Sequence, residues 1–142
     1  MMVGRNDSWP KAIWSRLHEP RLMTAFHIAA YICIGFLGVS VMLEPPNSIT
    51  GSIGWLAYLW GVFSAIGGLT AAIACPLGKW DVEKPALILC LTGIVIYTLT
   101  AFGLHFSSDG NRVPQALALS ALALHLAGRA VYIWPFSYEP GK

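Results

Sequence analysis

Charge is what this chain has least of. Lys, Arg, Asp and Glu make up 11% of its 142 residues, less than half the roughly 25% of an ordinary soluble domain. The shortage is uneven. Six of the charged residues fall in the first 21 positions and four more between Lys79 and Lys84. Between these islands lie four nearly uncharged runs, each about 20 residues or longer, which is what a bilayer core of about 30 Å requires at 1.5 Å per helical residue. A mean hydropathy of +0.60 agrees. A small soluble domain is excluded, because it has no interior large enough for four such runs. A net charge of +2, spread over short connectors, gives no basic patch for nucleic acid.

Other absences narrow the chemistry. Three cysteines at irregular spacing exclude a disulfide framework and any CxxC metal pattern. Cys33, Cys75 and Cys90 read as small apolar fillers. There is no Ser/His/Asp order, no phosphate-cradling glycine loop and no HExxH, so neither an enzyme nor a cofactor is expected. The charged leader is long and the first apolar run is long enough to span, which argues against a cleaved signal peptide.

What is there predicts an all-α, integral membrane four-helix bundle, a single membrane domain over residues 1–142. An amphipathic helix over 8–19 precedes spans at about 21–43, 53–75, 85–106 and 114–134. In the leader, Trp9, Ala12, Ile13, Trp14 and Leu17 form an apolar arc opposite Lys11, Ser15, His18 and Glu19, with Ser8 as cap. That pattern suits a helix lying in the membrane interface, with a partner-binding helix as the alternative. In the first span Thr24, His27, Tyr31, Gly35, Gly38 and Met42 share a face and are expected to meet other helices. The second span carries the cleanest packing signal. Gly54, Ala57, Gly61, Ser64, Ala65, Gly68, Ala72 and Cys75 recur at small-xxx-small spacing along one side, the pattern that lets helix backbones approach closely in lipid. Ala86, Cys90, Gly93, Tyr97 and Thr100 repeat the theme in the third span.

Positive charge sets the expected orientation. Arg5, Lys11, Arg16 and Arg21, the connector's Lys79 and Lys84, and Arg129 and Lys142 share one side, against Arg112 alone on the other. By the positive-inside rule both termini and the connector Pro76–Pro85 face the cytoplasm. Trp9, Trp14, Trp80, Trp134 and Tyr138 then form the inner aromatic belt, and Trp55 and Tyr58 the outer one. Asp81 and Glu83, two residues apart and flanked by lysines, read as a solvated segment of that hairpin, with Pro85 opening the third span.

Arg129 is the only formal charge placed inside a span, and intramembrane ionisable residues are functional candidates. One interpretation has its side chain snorkel to the nearby cytoplasmic interface. The other places His125 and Arg129, on one face of the fourth span, along a polar seam with His27 and Tyr31 of the first. Ala116, Ser120, Ala123, Ala127 and Ala130 occupy the opposite side of that helix. Two sides that avoid lipid predict self-association, so a homo-oligomer is expected. No histidine has a second ligand at metal spacing, and no metal site is expected.

Four stretches carry a family likeness: Arg16-Leu-His-Glu-Pro-Arg-Leu-Met-Thr24, Glu44-Pro-Pro-Asn-Ser-Ile-Thr-Gly51, His105–Pro114 with Gly110-Asn-Arg112, and Tyr138-Glu-Pro140. In these the chain resembles, nearly end to end, small four-span membrane proteins encoded by actinobacterial phages and prophages. The resemblance implies insertion in the host's cytoplasmic membrane and a holin-like role, with membrane or phage lysis proteins as partners. It carries over no functional residues. Two functions of different class follow: a permeabiliser that oligomerises through its small faces, and a non-permeabilising interaction or superinfection-exclusion protein.

Overall fold

The computed structural model describes residues 21–45, 47–107 and 110–135. The interfacial helix expected over 8–19, with Trp9 and Trp14, lies outside them, as does Tyr138. The described chain forms four helices: α1 (Arg21–Leu43), α2 (Asn47–Ala74), α3 (Trp80–Ser107) and α4 (Val113–Ile133). All four are long and apolar enough to cross a membrane. Consecutive helices pack against one another, α1 on α2, α2 on α3 and α3 on α4. One buried cluster draws on all four, with Tyr31, Ile34, Ala71, Leu87, Ile94, Leu119, Leu126 and Ile133 among its members. This is an all-α membrane bundle.

Two helices are longer than the spans read from the sequence. α2 begins at Asn47, ahead of Ile53, and α3 begins at Trp80, five residues ahead of Pro85. The early start of α3 follows from how α2 ends. Gly78, at φ 65°, adopts the left-handed conformation that lets a helix close on itself. Its N–H bonds the Cys75 carbonyl at 3.1 Å, and the Lys79 N–H bonds the Ala74 carbonyl at 3.2 Å, the paired bonds of a Schellman cap. The chain is thereby turned within a few residues, and the Lys79 carbonyl accepts the first bond of α3, from the Glu83 N–H at 3.0 Å. Asp81 and Glu83 fall in the first turn, where the helix dipole favours acids. Pro85 lies inside the helix rather than at its start.

Small residues set the spacing of the helices. A Cβ added to Gly38 would strike the backbone of Gly61 and Ala65, and one on Gly68 would strike the backbone of Tyr31 and Gly35. On the other side of α2, a Cβ on Gly67 would lie 2.8 Å from the Ala86 carbonyl and 2.8 Å from the Cys90 nitrogen. Ala57, Gly61, Ser64, Ala65 and Gly68 are buried, while Ala72 is half-buried. Gly54 is the exception, since a Cβ there meets nothing within 4 Å.

Two aromatic levels bracket the bundle. Trp80 and the exposed Trp134 stand at the connector end, and the exposed Trp55 and Tyr58 toward the other. Trp60 stacks on Tyr97 with ring centroids 4.2 Å apart. That pairing puts Trp55 level with Phe102, roughly 33 Å along α3 from Trp80 at 1.5 Å per residue, close to the thickness of a bilayer core.

Candidate intramembrane polar site

The site forms where α1, α3 and α4 converge near the connector end. Because α3 starts at Trp80, Glu83 sits one turn inside it, on the same side as the buried Leu87, Cys90 and Ile94. Its side chain is fully buried. The solvated loop expected for Glu83 is therefore corrected. Of the charged residues around it in sequence, Lys79 and Asp81 are exposed and Lys84 is half-buried.

Glu83 is held from two helices. The Tyr31 hydroxyl of α1 donates to its Oε1 at 2.9 Å. The Arg129 Nε of α4 donates to the same oxygen at 3.0 Å, and the second guanidinium nitrogen lies 3.4 Å from Oε2. Arg129 is itself 5% exposed and lies over the Tyr132 ring, 5.8 Å from its centroid. The snorkelling alternative does not describe this side chain. A Cα–Cβ bond tilts toward its helix N-terminus, and the N-terminus of α4 is at the far end of the bundle. Arg129 is thus directed away from the nearby interface and across to Glu83. In hydrocarbon such a pair is retained only with both charges compensated and hydrogen-bonded, and here both are.

The histidines extend the cluster. His27, one turn before Tyr31, is buried, and its ring centroid lies 6.4 Å from that of Tyr31 and 5.1 Å from that of His125. His125 is exposed on the outer side of α4. Of the four residues read as a polar seam, Tyr31 and Arg129 hold Glu83, which the sequence argument had set aside, and the His27–His125 pair adjoins Tyr31. Among the described residues no group of three or more His, Cys, Asp or Glu side chains is placed to hold a metal ion.

The two faces expected on α4 are distributed differently. Its buried residues are Ala116, Leu119, Leu126, Arg129 and Ile133, an inward arc reaching from one edge of the small face to one edge of the polar face. Ser120, Ala123, Ala127 and Ala130 are half-buried, while Ala118, Ala121, His125 and Gly128 are exposed. The Arg129 side therefore packs inside the bundle instead of forming an outer seam.

A second polar group stands farther along. The Gln115 amide of α4 donates to the Tyr97 hydroxyl of α3. Tyr97 in turn stacks on Trp60 of α2. The Trp60 Nε1 and the Ser64 Oγ are buried with no hydrogen-bond partner among the described residues. No signal in the sequence marked this group: Ser64 and Tyr97 read as packing residues, and Trp60 and Gln115 stood out in no pattern. Comparison with protein-family models, with curated proteins and with solved structures finds no match to this chain.

Proposed function

We propose that this is a phage-encoded integral protein of the bacterial cytoplasmic membrane that acts, holin-like, by oligomerising and permeabilising that membrane. The carrying observation is the polar cluster held inside an otherwise apolar bundle: Glu83 and Arg129 with Tyr31 and the His27–His125 pair. A permeabiliser must insert without leaking and later expose polar surface to water. These residues supply such a surface, and their mutual compensation keeps it closed. Helix α4 is suited to the rearrangement, since it has the smallest buried share of the four spans and presents Ala118, Ala121 and Gly128 outward. The likeness to phage-encoded four-span proteins and the bias of Lys and Arg to one side support the host membrane and cytoplasmic termini. Lysis proteins are the partners this role implies, and no catalytic step belongs to it.

A second reading, a non-permeabilising membrane interaction or superinfection-exclusion protein, is favoured by the completeness of the Glu83–Arg129 pair, which leaves no free charge at the site. Expression of the chain alone in bacteria, with membrane potential followed by a dye, separates the two. Permeabilisation predicts an abrupt, dose-dependent collapse. Normal growth and potential at high expression would overturn it.

A further inference from the structure

The two polar groups lie in register. Glu83 pairs with Arg129, and Tyr97 with Gln115. The step from one pair to the other is the same on α3 as on α4, about 21 Å at 1.5 Å per residue. The inner group lies just inside the Trp80 level and the outer group just inside the Trp55 level, so between them they reach most of the way across the bundle. Leu87, Ile94, Leu119 and Leu126, all buried members of the common core, fill the interval. On α2, Trp60 and Ser64 stand one turn apart on the side facing α3, 1% and 0% exposed. An indole N–H can only donate, and a buried donor without an acceptor is costly. Two unpartnered polar groups one turn apart, beside a Tyr–Gln pair, are the chemistry that holds water inside a protein.

We infer that each chain encloses its own gated path for water and protons, built of these two polar stations and closed by the apolar plug between them. The outer station binds water at Trp60 and Ser64. The inner station offers the imidazoles of His27 and His125, which exchange protons readily, beside Tyr31 and Glu83. Arg129 is paired with Glu83 there, and Asp81, exposed, and Lys84, half-buried, are the charged residues beside Glu83 in the first turns of α3. Hydrophobic constrictions of this kind gate by excluding water. Each proton entering one station is matched by one leaving the other, driven by the membrane potential, with no redox partner. This path lies within one chain and does not rest on oligomeric permeabilisation.

The test reconstitutes the full chain in vesicles loaded with a pH dye and imposes a potassium-diffusion potential. Leu126→Ser and, separately, Ile94→Ser place a hydroxyl in the plug, and each is expected to raise proton flux at least tenfold over the parent chain. Val95→Ser, a similar change on the exposed side of α3, leaves it at the parent level. Trp60→Phe added to Leu126→Ser keeps an aromatic ring at this position, removes the indole N–H and lowers the flux at least threefold. Co-loaded carboxyfluorescein stays inside throughout, which separates this path from an oligomeric lesion. Plug variants no leakier than Val95→Ser, or dye escaping together with protons, would overturn the inference.

Discussion

At the residue scale the molecule turns on one carboxylate. Glu83 is compensated from α1 by a hydroxyl and from α4 by a guanidinium, so its neighbours are the sites where single changes cost most. Removing one partner of a buried ion pair costs about 3–5 kcal/mol, whereas replacing both with apolar groups is often neutral. Glu83→Gln is therefore expected to destabilise the bundle by about that amount in detergent unfolding, and Glu83→Leu with Arg129→Met to recover most of it. If the double variant were as weak as the single one, the pair would not be the source of the effect. Tyr31→Phe removes one bond to a charged acceptor, for which about 1.5–3 kcal/mol is expected. The carboxylate is also where the sequence was hardest to read. Its spacing from Asp81 and its lysine neighbours describe a solvated turn. The contrary signal was the run Glu83, Leu87, Cys90, Ile94, a core-facing repeat that begins before Pro85 and becomes visible only once Gly78 is seen to end α2.

At the scale of the helix, close approach depends on missing methyl groups. Gly38→Ala and Gly68→Ala should each separate α1 from α2, because the added carbon meets backbone and not a movable side chain. Overpacking of this kind costs about 1–3 kcal/mol. Gly54→Ala and Gly128→Ala meet open space and should be neutral or stabilising by up to about 1 kcal/mol. Thermal unfolding of the four variants side by side checks the contrast. The apolar runs and the repeated small residues made the helices and the α1–α2 contact legible. Helix ends were less so, because proline is compatible with both the start of a helix and its first turns. The inward side of α4 was legible only in part. Arg129 and His125 are neighbours on a helical wheel, but a bundle buries an arc, and its edge falls between them.

At the scale of the whole molecule, the arrangement relative to the membrane can be checked directly. Lys79 lies in the Gly78 turn and Asn111 beside the start of α4, at opposite ends of the bundle. Lys79→Cys should react with an impermeant maleimide only after the inner membrane is opened, and Asn111→Cys should react in intact spheroplasts. The reverse pattern would reject cytoplasmic placement of the connector, and with it the cytoplasmic termini. Composition alone made the membrane class legible, since four uncharged runs have no alternative home. The convergence of three helices on one charge was not legible, because it depends on register between helices far apart in sequence, which single-helix periodicity does not contain.

The 46-position separation of Glu83 and Arg129 along the chain also imposes an order on biosynthesis. The ribosome delivers the carboxylate well before the guanidinium, so α3 enters the bilayer while its counter-charge has yet to be translated. Until α4 emerges, the nascent chain carries an acid in hydrocarbon with Tyr31 as its support. A polypeptide stopped at residue 111 is frozen at that stage. In pulse-chase labelling it should be degraded several times faster than the full chain, and Glu83→Gln should prolong its lifetime while shortening that of the complete protein. An acid that secures the finished bundle would then be a liability to the unfinished one, which marks half-made chains for removal.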